Sequence, residues 1–74
     1  MSTDDEVGDL ASRLGDIAEA LADVALEQLR EAAADPDSPD GKAAQALERR
    51  VTRARRGIER AIGILEGGER AEDL

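Results

Sequence analysis

Apolar residues recur at alternating intervals of three and four along two stretches of the chain, and this spacing limits the fold more than any other feature. Val7, Leu10, Leu14, Ile17, Leu21 and Val24 follow it in the first stretch, which broadens into a patch at Ala25, Leu29 and Ala32. Ala44, Leu47, Val51, Ala54, Ile58, Ala61 and Leu65 follow it in the second, where Ile62 widens the stripe. Residues three and four apart share one face of an α-helix. Each stretch therefore predicts a helix with an apolar seam of the kind that packs on other helices. The few β-branched residues do not alternate, and no strand is predicted.

The stretch between the two seams, ADPDSPDG at residues 34–41, contains both prolines of the chain. A residue before proline avoids the α region, so Asp35 ends the first helix. Ser38-Pro39-Asp40 then supplies an N-cap, a proline at the first helical position and an acid in the first turn. At the other end of the first helix, Thr3-Asp4-Asp5-Glu6 fits a capping box with Thr3 as the cap, and Gly67-Gly68 stops the second helix. The prediction is one all-α domain: a helix over about 4–34, a turn at 35–38, a helix over about 39–66 and a polar tail at 67–74. Two helices of about 28 residues, each about 42 Å long, joined by so short a turn form an antiparallel hairpin. Gly8, Gly15, Gly57 and Gly63 lie inside the predicted helices and cost up to about 1 kcal/mol each relative to alanine. At Gly15 and Gly57 the compensation expected is close approach of the helices.

With 74 residues and no cysteine, histidine or aromatic residue, the chain lacks disulfides, the commonest transition-metal ligand and the side chains that dominate most cores. A hairpin buries only the strip between its helices, yet Leu26 lies well off the first seam and Ile64 well off the second. The expected remedy is a homodimer in which two hairpins stack into a four-helix bundle, or a heteromeric helical protein that supplies the missing helices. The interface is expected at Leu10, Leu14, Ile17, Leu21 and Val24 on the first helix, and at Leu47, Val51, Ile58, Ile62, Ile64 and Leu65 on the second.

Charge divides along the chain. Residues 1–40 carry twelve acids against Arg13 and Arg30, whereas residues 41–60 carry seven basic residues against Glu48 and Glu59, within a net charge of -8. Arg49, Arg53, Arg56 and Arg60 form a stripe nearly opposite the second seam, a possible anion-binding surface, and Arg50 and Arg55 flank it. In a hairpin, Arg50 and Arg55 are expected to reach Glu19, Asp23 and Glu27 on the neighbouring helix, while the stripe faces outward, where the Asp9, Asp16 and Asp23 row of a second copy could meet it.

Catalysis is not expected. The hydroxyls are Ser2, Ser12, Ser38, Thr3 and Thr52; none is expected beside a plausible base in a cleft, and a hairpin offers little concavity. No glycine-rich phosphate loop is present. DPDSPDG at residues 35–41 approaches a calcium loop, but its glycine falls one place late and Ala46 stands where the closing glutamate belongs. No apolar run reaches the roughly 18 residues that cross a membrane, and MSTDDEVGDL does not read as a signal peptide. These features lead to the expectation of a cytoplasmic, non-enzymatic helical interaction module with no cofactor, metal or small-molecule substrate. Two alternatives stand beside it: a nucleic-acid-associated accessory protein using the arginine stripe, and a small helical subunit of a larger complex.

Overall fold

The computed structural model describes residues 2–67. Two helices, α1 (Thr3–Ala34) and α2 (Pro39–Leu65), pack against each other as a hairpin. The boundaries follow the sequence signals to within a residue. The cap of α1 is corrected by one place: Ser2, not Thr3, accepts from the Asp5 N–H at 3.3 Å, and the Asp5 carboxylate accepts from the Ser2 N–H at 3.5 Å. Ser2/Asp5 and Thr3/Glu6 have the same capping-box spacing, and the earlier pair satisfies the donors of a helix that begins at Thr3.

The turn is held by Asp35 and Ser38. Asp35 leaves the helix with φ -154° and ψ 76°, as a residue before proline does. Its carbonyl accepts from the Ser38 N–H at 3.3 Å and from Ser38 Oγ at 2.9 Å. Ser38 Oγ in turn accepts from the Gly41 N–H at 2.9 Å, capping α2 with Pro39 in its first turn. Gln45 Nε2 reaches back to the Pro36 carbonyl at 3.3 Å. Close approach occurs at Gly41, where a Cβ would overlap the Asp35 carbonyl oxygen and stand 2.9 Å from its carbon. At Gly15 and Gly57, where close approach was expected, a Cβ would meet nothing within 4 Å. The backbone contact is at the turn, where the chain doubles back, and not along the helix pair. At its far end α2 stops at Leu65; Glu66 donates to the Ile62 carbonyl, and Gly67 takes φ +82°. Gly68 and the predicted polar tail beyond it lie outside the described residues.

The line of contact between the helices is made of alanine. Ala11, Ala18, Ala25 and Ala32 recur at steps of seven along α1 and are 2–8% exposed; Ala44 on α2 is buried with them. Among the described residues, no large side chain is fully buried. This shifts the expected seam. Leu14 and Leu21 are half-buried beside the alanine row, while Leu10, Ile17 and Val24 are 41–49% exposed. The smallest side chains occupy the contact line because they let the helix axes approach closely, and the larger ones are displaced to one flank. The Cα extent in the thinnest direction is 12 Å, one layer of helices where a domain ordinarily has two.

Gly41→Ala is expected to lower the melting temperature of the helical circular-dichroism signal, because the added carbon meets a backbone carbonyl and the turn must open. Gly57→Ala, with open space around it, is expected to raise stability by about 0.5–1 kcal/mol through helix propensity alone.

Candidate protein-interaction face

Two grooves run along the hairpin, one on each side of the alanine line. Near the turn, the first is lined by Gln28 and Glu31 of α1 and by Ala43, Ala44 and Leu47 of α2. Val24, Ile17 and Leu10 precede Glu31 at steps of seven, so they continue its row along the same flank. Ala54 and Ala61 follow Leu47 in the same way. Between these two rows lie the half-buried Leu14 and Leu21 on α1, and Val51 and Ile58 on α2. The groove side of the hairpin is therefore an apolar strip along most of its length, and its outer edge on α1 consists of large side chains left about half in water.

The structure brings most of the expected interface residues onto this strip: Leu10, Leu14, Ile17, Leu21, Val24, Leu47, Val51 and Ile58, with Leu65 at the far end, 42% exposed. Ile62 lines the opposite groove. Ile64 is 54% exposed and follows Ala43, which lines the first groove, at steps of seven, so it lies along the outer edge of the strip on α2. Leu26 and Leu29, also exposed, lie on the other flank of α1.

The opposite groove is more polar. Gly15, Ala18, Glu19 and Ala22 of α1 face Arg55, Glu59 and Ile62 of α2 across it. Arg55 is half-buried, and its Nε is buried without a hydrogen-bond partner. The expected pairing of Arg50 and Arg55 with α1 is not found: neither forms an ion pair with that helix within 4 Å. An ion pair among the described residues joins Asp9 to Arg13 at 3.7 Å, within α1 and largely in solvent. Close alanine packing fixes the helix spacing without help from cross-helix ion pairs, and exposed pairs of this kind add little.

Arg49, Arg53, Arg56 and Arg60 are all exposed on the outer side of α2. Arg49 Nη2 donates to Gln45 Oε1 at 3.4 Å, and Thr52 Oγ1 donates to Glu48 Oε2 at 2.6 Å beside them. The stripe is thus a solvent-facing row of positive charge on an otherwise acidic molecule. Among the described residues, no helix is long and apolar enough to cross a membrane. Comparison with protein-family models, curated proteins and solved structures yields no match for the chain.

Sequence reasoning missed the alanine row as the contact line, although the signal was there: four alanines at intervals of seven. Ala18→Leu is expected to push the helices apart and cost about 1–3 kcal/mol, the usual range for overpacking. Ala33→Leu, on the exposed side of the same helix, is the matched control and should change stability by less than about 0.5 kcal/mol; urea unfolding of the two variants measures both.

Proposed function

We propose that the chain is a non-enzymatic helical interaction module that self-associates, two hairpins stacking their apolar strips into a four-helix bundle. One observation carries this reading. Among the described residues the buried apolar side chains are those of five alanines, while Leu10, Ile17 and Val24 stand about half exposed in one row along the groove. Contiguous exposed apolar surface of this kind marks an interaction site. The single-layer hairpin supports the same reading, because a second layer is what an amphipathic pair of helices lacks.

The arginine row supports a second reading, a nucleic-acid-associated accessory protein. Four exposed arginines on one helical face form an electrostatic footprint for phosphates. Against it stand the charge of α1, nine acids to Arg13 and Arg30, and the lack of any aromatic residue for base stacking. Duplex DNA binding that falls steeply with salt and disappears in the double variant Arg53→Glu/Arg56→Glu would favour this reading.

Light scattering coupled to size-exclusion chromatography tests self-association. The expected mass is twice the chain's 7.8 kDa, and Ile17→Asp is expected to abolish the larger species. Ile17 is already half exposed in the hairpin, so a hairpin that functions alone would tolerate the change. A monomeric, helical wild-type chain, or an Ile17→Asp variant of unchanged mass, would refute the reading and direct attention to a heteromeric partner.

A further inference from the structure

The arrangement of the second copy follows from how size and charge are divided between the two helices. This step rests on the self-association reading. Two hairpins stacked strip to strip about a twofold axis have two options. With the axis along the helices, each α1 lies on the partner's α2 and both turns sit at the same end. With the axis across the helices, α1 lies on α1 and α2 on α2, and the turns sit at opposite ends.

Charge separates the two options. α1 carries nine acids against Arg13 and Arg30, and α2 carries seven basic residues against Asp40, Glu48 and Glu59. Packing like helices together sets acidic α1 beside acidic α1, whereas packing unlike helices sets it beside basic α2. The levels also agree. The polar groove pairs the stretch around Ala18–Ala22 with Arg55–Glu59, and an axis along the helices preserves those levels between copies. Glu27 of one copy then comes level with Arg50 of the other along the edge of the strip. Among the described residues, no ion pair occupies Arg50.

Side-chain size points the same way. The α1 edge of the strip is Leu10, Ile17 and Val24, and the α2 edge is Leu47, Ala54 and Ala61. Large residues of one copy facing small residues of the other give an even helix spacing, whereas like-on-like packing would set large against large along α1. We infer that the hairpin binds a second copy of itself with both turns at the same end, the partner's α2 covering the Leu10/Ile17/Val24 row of α1.

Because the chain has no cysteine, one nitroxide label per chain can be placed by Asp37→Cys in the exposed turn, or by Asp4→Cys near the start of α1. Dipolar electron resonance on each labelled dimer then reads the distance between copies. For layers spaced about 10 Å apart, both labels are expected to give distances of roughly 20–30 Å. Distances of roughly 45 Å or more at both sites, about the length of the 32-residue α1, would overturn the arrangement and leave self-association standing. The absence of dipolar coupling together with a monomeric mass would overturn self-association itself.

Discussion

Four alanines at intervals of seven on α1 set how closely the two helices approach, and the rest of the molecule depends on that approach. A methyl group takes up little room between two helices, so a row of them leaves a narrow contact line. With Ala11, Ala18, Ala25 and Ala32 on the contact line, the leucines, isoleucine and valine of the same helix cannot also lie there. They are displaced to the flank, Leu14 and Leu21 halfway and Leu10, Ile17 and Val24 further. One helix thus has two apolar surfaces: a narrow one already used within the chain and a broader one left about half in water.

This division has an energetic consequence. Burying an alanine methyl contributes about 0.8 kcal/mol, so the fully buried set adds little to a chain that must order two long helices. The half-buried aliphatics add only part of what they would if covered. Disulfides are excluded by composition, and the cross-helix ion pairs that might have compensated do not form at Arg50 or Arg55. The stabilising surface that remains is the strip itself. It contributes in full only when covered, and on the self-association reading the folding of the hairpin is coupled to the binding of the second copy.

Much of the fold was legible in the sequence because local rules dominate it. Ser38-Pro39-Asp40 reads as a helix start, Asp35 before Pro36 as a helix end, and alternating steps of three and four as two helices; the structure has each of them. The errors came where two local patterns were equally good or where packing chose between them. Ser2 and Thr3 are both hydroxyl caps with an acid three residues on. The aliphatic seam and the alanine row are adjacent stripes on one helix, and reading by hydrophobicity favours the larger residues while close packing favours the smaller. The strain at Gly41 was invisible because it depends on where the Asp35 carbonyl points. The arginine stripe was read correctly as an outward face, but its charge match within the hairpin was not, since opposite net charge on two helices does not bring particular side chains within 4 Å.

The central claim is that the aliphatic strip completes the core only by association, and the dependence of thermal unfolding on protein concentration tests it most directly. Helicity followed by circular dichroism over a hundredfold dilution series should show a melting temperature that rises with concentration by roughly 5–10 °C, as mass action requires when folding and association are coupled. A cooperative transition at the same temperature throughout the series, for a chain of monomeric mass, would show that the alanine-packed hairpin is stable alone and would contradict the account.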